Sequence, residues 1–370
     1  GAAPTGGGRK GAMPRSKAFA FLLVFVVPAL MPAAAWLAGA GVPRDVAAWL
    51  PLFFLFVLLP LADYALGHDP ANVPVEREAR TARHPWFVGL TLACVPVQLA
   101  LLGWSGHWFA HATLGPAGAA GWLLSQGVVS GVLAINTAHE LIHKPGRIEQ
   151  AAGGVLLASV GYHGFKVEHL RGHHVHVATP LDASSARLGQ SLWSFLPRAL
   201  VRNTCSAWRL EAQRLRERGL SWWHWRNELL GWSLLWLGFA AAMGVWLGVA
   251  GLAFFVLQGA LAAASLEIIN YVEHYGLERR RGADGRYERT THLHSWNSDY
   301  ALSNLLLFQL QRHSDHHAFP KRRYAILRHH PDSPQLPGGY SAMFVLALVP
   351  PLWHRVIDPR VQAFRRAVAG

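Results

Sequence analysis

"AFAFLLVFVVPALMPAAAWLAGAG", residues 18–41, runs for 24 residues without a charge. An α-helix rises about 1.5 Å per residue and the hydrocarbon core of a bilayer is about 30 Å thick, so about 20 apolar residues cross it. This stretch reads as a membrane span. Five others read the same way: 46–67, 86–105, 117–138, 230–249 and 251–273. Pro28, Pro32, Pro51 and Pro60 fall inside spans, where neighbouring helices can compensate the lost backbone bonds. The last two spans are joined so tightly that they must form an antiparallel hairpin. Two shorter apolar pieces, 151–162 and 340–353, cannot span and read as interfacial or buried helices.

The rest of the composition agrees with a membrane class. Of the 370 residues, 52% are hydrophobic, 15% are charged and 16 are Trp. The net charge of +13 would suit nucleic acid, but its distribution argues otherwise. With six spans both termini share one side, and every Lys and Arg except Arg44 falls there. Basic residues mark the cytoplasmic side, where they hold orientation and meet anionic lipid. Nucleic acid is excluded as a partner. Cys94 and Cys205 lie far apart, so neither a disulfide framework nor a thiolate metal site is expected.

The fold class is an all-α integral membrane protein: a six-transmembrane-helix bundle with a cytoplasmic histidine-rich cap. Residues 1–17, Gly-rich and basic, read as a flexible tail, and 18–138 hold spans one to four. Residues 139–229 form a cytoplasmic segment, 230–273 hold spans five and six, and 274–370 form a second cytoplasmic segment.

Each cytoplasmic segment begins where a span ends, and there the histidines gather. "NTAHELIHK" places His139 and His143 at i and i+4, on one helix face about a turn apart. "VEHLRGHHVH" adds His169, His173 and His174; "NYVEHYGL" adds His274; "LQRHSDHHA" adds His313, His316 and His317. Nine candidate ligands on one side of a membrane point to a shared metal centre. Imidazole suits Zn, Cu, Fe and Ni alike. One ion takes four to six ligands, so nine imidazoles imply two ions. Soluble di-iron bundles rely on glutamates, whereas this set is almost purely histidine. A zinc hydrolase would need fewer ligands and an open polar cleft.

Every histidine stretch also carries a carboxylate beside a ligand: Glu140, Glu168, Glu273 and Asp315. Such groups can offset metal charge and accept the second ring N–H of a ligand. Adjacent helical residues face different ways, so each can serve a ligand from another stretch.

"HELIHK", "EHLRGHH", "NYVEHYGL", "LQRHSDHHA" and "HSWNSD" resemble the signature boxes of the membrane-bound alkane 1-monooxygenases. That family shares its three-box histidine pattern with fatty-acid desaturases and sterol oxidases. The resemblance covers about residues 18 to 350. It implies a non-haem di-iron site on the nine histidines, O2 as co-substrate, and terminal hydroxylation of a linear, medium-chain alkane. Some relatives carry a fused rubredoxin. Two cysteines cannot hold that four-thiolate iron, so electrons would come from a separate rubredoxin fed by an NADH-dependent reductase.

His294, with His292, His176 and His163, reads as an outer or rim residue, and His329 and His330 as solvated. Trp49, Phe53, Phe54 and Phe56 are candidate walls of a substrate channel reached from the bilayer. Arg279, Arg280, Arg281, Lys321, Arg322 and Arg323 are candidates for docking an acidic electron carrier. Rival readings are a fatty-acyl desaturase or hydroxylase with the same core, or a histidine-rich metal transporter. The transporter should carry ionisable groups within its spans, and these spans are nearly bare.

Overall fold

The computed structural model describes residue 13 and residues 15–369; residues 1–12 and 14 of the expected tail lie outside the described residues. The described chain is helical, with only isolated β-bridges besides. Five helices are long and apolar enough to cross a membrane: α1 (Ser16–Gly39), α2 (Arg44–Leu66), α3 (Pro85–His111), α4 (Pro116–Ile142) and, further on, a helix over Glu228–His274. The protein is an integral membrane helical protein.

That last helix is where the count of expected spans meets the structure. It runs for 47 residues, but Gly248 breaks it with φ 65°, ψ −156°. Only glycine adopts such a conformation without strain. The chain doubles back there: Phe239 meets Phe255 across the two arms at 6.4 Å between ring centroids. The expected 230–249 and 251–273 pieces are therefore the two arms of one hairpin.

The second arm packs against α4 through small residues. A Cβ on Gly127 would run into the Leu261 side chain, and one on Gly131 would touch Ser265 and the Ala262 carbonyl. Where burying apolar surface drives little association, such close backbone approach is what joins helices. α4 is accordingly the most enclosed of the candidate spans. Its end is a π-helical turn, Gly131–Asn136, which rotates the following Thr137–Ile142 segment. Other π-turns cover His169–His173 and, within α2, Phe54–Leu58 beside the cavity described below. Such turns cluster at functional sites because they re-aim side chains.

Between these helices lies α5 (Leu192–Arg216), which the sequence reading left undivided. It buries Leu192, Phe195, Ala199, Asn203, Ala207, Glu211 and Leu215, a strict three-to-four spacing, with its arginines off that stripe. We number the hairpin helix α6 (Glu228–His274), the short histidine helix α7 (His313–Ala318) and the amphipathic C-terminal helix α8 (Pro350–Ala369). The 151–162 piece forms the half-buried helix Arg147–Ser159, and the 340–353 piece divides between Tyr340–Ala347 and α8.

Candidate metal centre

α4 ends at the histidine layer with His139 and Glu140, α6 ends there with Glu273 and His274, and α7 begins there with His313. Two left-handed residues, Phe308 (φ 52°) and Gln309 (φ 55°), turn the chain just before α7. Positive φ at bulky residues is costly and persists where surrounding contacts enforce it. Here Gln309 N–H donates to Asn304 O at 2.6 Å, and buried Arg312 donates to Leu327 O (2.7 Å), Asp69 O (2.6 Å) and Ala71 O (3.1 Å). The "HSWNSD" stretch completes this frame. Ser314 Oγ donates to Asn297 Oδ1 (3.1 Å), and Trp296 Nε1 donates to Tyr275 O (2.9 Å).

All nine expected histidines converge, and they divide into two groups. His139, His143, His169, His174 and His316 form one; His173, His274, His313 and His317 form the other. Within each group the donor atoms lie within 4.8 Å of one another. Adjacent His173 and His174 leave the π-turn toward different groups.

Ring nitrogens face one another directly. Nε2 of His169 lies 3.0 Å from Nε2 of both His143 and His174, and His174 lies 3.2 Å from His316. In the second group His317 lies 3.0 Å from His313 and 3.3 Å from His173, and His313 lies 3.3 Å from His274. Nε2 of His139 is buried without a hydrogen-bond partner. A neutral imidazole has one N–H, so no arrangement of protons satisfies every such contact. A cation about 2.1 Å from each nitrogen would set neighbouring donors about 3.0–3.4 Å apart, which is the spacing found. Burial, and then the neighbouring imidazoles, push His143, His169, His174, His313, His316 and His317 well below the usual histidine pKa. They are neutral lone-pair donors at pH 7, which is the metal-binding form. The donor set fits two metal ions.

The carboxylates behave less uniformly than their sequence positions suggested. Glu273 Oε2 lies 3.1 Å from His313 Nε2, so it meets a ligand from another stretch. Glu140 turns away from the rings to pair with Lys144 (3.0 Å) and accept the Tyr324 N–H (3.1 Å). Asp315 holds Arg322 (2.6 Å), His330 (2.8 Å) and the Arg328 N–H (3.0 Å). Glu168 fills the space in front of Gly172. The carboxylate the sequence reading missed is Asp182: its Oδ2 lies 3.0 Å from Nδ1 of His173 and accepts from Ser185 Oγ at 2.6 Å. Burial alone would lower the His173 pKa, but Asp182 carries it above the usual value. Nothing in the spacing of "HHVHVATPLD" singles Asp182 out, because a loop brings it back.

His294 contacts Glu288 (3.1 Å) and Thr291 rather than a ligand ring. His163 pairs with Ser233 (2.9 Å), and His292 stacks on His330 at 4.4 Å while reaching Asp332 (2.8 Å). His329 and His330, expected in solvent, are part-buried against the buried carboxylates Asp299 (2.5 Å) and Asp315.

On the membrane side of the rings lies an apolar cavity lined by Val27, Leu55, Phe56, Val132, Leu306 and Phe344. Asn136, Ile269 and Leu310, each three to five residues before a ligand, bring its wall up to the histidine layer. Of the candidate channel residues Phe56 alone borders this cavity. Trp49 packs on Gly121, Phe53 is exposed, and Phe54 lies against the apolar core. Of the basic residues, Arg322 is bound to Asp315, and Arg323 is bound to Glu149 (2.8 Å) and the Ala82 carbonyl (2.8 Å). Lys321 is exposed.

A membrane helical bundle with histidines grouped at its rim defines the class, and the comparisons agree. The family model described as fatty acid desaturase matches residues 114–347. The chain is 52% identical over 350 residues to alkane 1-monooxygenase 1 of Pseudomonas aeruginosa, covering 94% of this chain and 92% of that one. It is 54% identical over 335 residues to alkane 1-monooxygenase 2 of the same organism, covering 89% and 88%. It is 48% identical over 354 residues to alkane 1-monooxygenase 2 of Alcanivorax borkumensis, covering 95% and 93%. The chain belongs to the alkane 1-monooxygenase family of oxidoreductases.

Proposed function

We propose that this protein hydroxylates linear, medium-chain alkanes at the terminal methyl, using O2 and electrons from rubredoxin. The observation that carries the reading is two histidine groups beside an apolar cavity whose wall residues Asn136, Ile269 and Leu310 lie three to five positions before ligands. Five histidines would hold one iron and four the other. Iron bound there supplies O2 activation, the chemistry that side chains alone lack.

The chain's own part is positional. A largely apolar wall, with few polar groups such as Asn136 and Ser265, selects by length and shape, and a methylene in such a pocket is worth only about 1–3 kcal/mol, so a range of chain lengths is accepted. Closely packed apolar walls keep water from the reacting carbon. Asp182 fixes the His173 ring through Nδ1 and leaves Nε2 facing His317, free to serve as a ligand were iron held there. The bundle crosses the inner membrane six times, the two α6 arms counting separately, with both termini and the histidine layer cytoplasmic. The near-absence of Lys and Arg beyond Arg44 on the opposite side supports that orientation. A fatty-acyl substrate would need a polar site for its head group, and the cavity wall offers little.

Purified, iron-loaded protein supplied with octane, rubredoxin, its reductase and NADH tests this directly. The expected product is 1-octanol, dependent on O2. Desaturated lipid, or no oxygen-dependent product from any alkane, would overturn the proposal.

A further inference from the structure

Beyond the histidines, away from the apolar cavity, lies a second cavity of opposite character. Arg187, Arg198 and Arg279 line it, together with Asp182, Glu278 and Tyr287. Nε of Arg198 and of Arg279 are both buried without a hydrogen-bond partner. Their other bonds go to neutral acceptors: Arg198 to Gln190 Oε1 (3.3 Å), Arg279 to the carbonyls of Val175 (2.8 Å) and Glu288 (3.1 Å). The wall's two carboxylates are already engaged, Asp182 by His173 and Ser185, Glu278 by Arg365 at 2.8 Å. Asp182 and Glu288 lie near enough to attract them, but none of the three guanidinium groups hydrogen-bonds a carboxylate among the described residues, and their planar forks suit one.

The cavity's position narrows the occupant. Leu277, Glu278 and Arg279 follow His274 at the end of α6, past the histidine layer, whereas the residues before His274 line the apolar cavity. The site faces away from the membrane. Two apolar side chains stand exposed beside it, Val175 at 52% and Leu181 at 62%. Val175 follows the ligand His174, and Leu181 precedes Asp182, which bonds to the ligand His173. Arginine is enriched at protein interfaces, and Val175 and Leu181 beside these arginines offer apolar surface that a small anion would leave uncovered.

We propose that the reductant protein docks on this face. The inference rests on the oxygenase reading, in which one oxygen atom enters the alkane and the other leaves as water, consuming two electrons and two protons. An acidic one-electron carrier inserts a carboxylate among Arg187, Arg198 and Arg279, and its rim covers Val175 and Leu181. Each docking oxidises one carrier and delivers one electron over the His173–His174 turn, so two dockings serve one turnover. This places docking on the 174–187 loop and the start of α5 as well as on Arg279.

Binding of an acidic rubredoxin to the full chain in nanodiscs, read without turnover across a salt series, tests the idea. An Arg198→Glu/Arg279→Glu variant should bind about tenfold more weakly or worse and lose most of the salt dependence. Arg209→Glu/Arg216→Glu, the same change of charge at two exposed positions further along α5, should not. Arg198→Gln and Arg279→Gln serve if charge reversal impairs folding, with thermal melting as the check. Unchanged rubredoxin affinity in the pocket variants would overturn the proposal. So would rubredoxin binding that needs anionic lipid and ignores these residues, which would put the docking face elsewhere. Octane turnover keeps the two readings apart: weakened binding with no 1-octanol from the wild type spares the docking face and sinks the oxygenase, and normal binding with 1-octanol does the reverse.

Discussion

The two histidine groups share one layer and one chemistry, but they are not equivalent. The four-membered group is fully buried and touches two carboxylates, Asp182 at His173 and Glu273 at His313. The five-membered group has one more imidazole, and its member His174 is only half-buried. The two Glu residues nearest it in sequence, Glu140 and Glu168, are occupied with Lys144 and with the space at Gly172. A cation in the first group therefore has anionic charge close by, and one in the second relies on donor number. Charge compensation and ligand count are two ways of offsetting the same desolvation.

That contrast can be broken most severely by removing a ligand. His313→Ala leaves the smaller group with three imidazoles and strands Glu273 beside the gap. It should lower bound iron and cost more than the roughly 100-fold that loss of an outer partner costs a metal site. His143→Ala leaves four donors in the larger group and should retain more iron. Iron per protein by elemental analysis, with 1-octanol yield, checks the pair. Equal losses would erase the distinction.

Next in size is Asp182. Asp182→Asn removes the charge but keeps the shape, and should weaken iron binding about 10–100-fold in the four-histidine group. Metal titration against a chelator reads this. An unchanged affinity would mean that Asp182 serves the loop alone.

A smaller effect is expected in the cavity, which lies away from both groups' charges. Val132→Phe shortens it and should favour shorter alkanes over longer ones by about tenfold, with iron content unchanged. Product ratios from a mixed-alkane competition give the answer.

The smallest effect concerns neither group but the shell that carries the histidines. Burial would raise the Glu211 pKa, but hydrogen bonds from Arg214 and Arg171 hold it at about 2 against an ordinary 4.5. A carboxyl lowered on folding stabilises above its unfolded value, and that contribution is lost as pH falls through its folded one. Glu211 should therefore contribute fully above pH 4.5 and fade toward pH 2. In Glu211→Gln, melting temperature should be lower at neutral pH, with the gap to wild type closing on acidification.

Much of the site was legible before any fold was known. Imidazoles at i and i+4 at a span's end, with further histidines in three other stretches, already pointed to a shared centre, because each stretch alone is too poor in donors. The apolar stretches and the one-sided Lys and Arg gave membrane class and expected orientation, since the bilayer demands long apolar helices and the charge bias survives in one dimension. Glu140 and Asp315 show where such reading stops. Adjacency to a ligand said nothing of direction, and both turn toward cations of the 321–328 loop or its neighbours.

By itself, then, the sequence determined the solvent this chain folds in, its helical class, and the nine nitrogens that gather at the rim. Tertiary structure alone decided how those nine divide into five and four. It also decided that Asp182 reaches His173, that Phe56 borders the apolar cavity while Phe53 does not, and that Arg322 and Arg323 are held inside while Arg198 lines a second cavity. The reason is physical. Hydrophobicity and helical period act along the chain and can be read there, whereas coordination and charge pairing depend on how loops fold back, as at Asp182 and His173, and on how distant segments meet, as at His173 and His317.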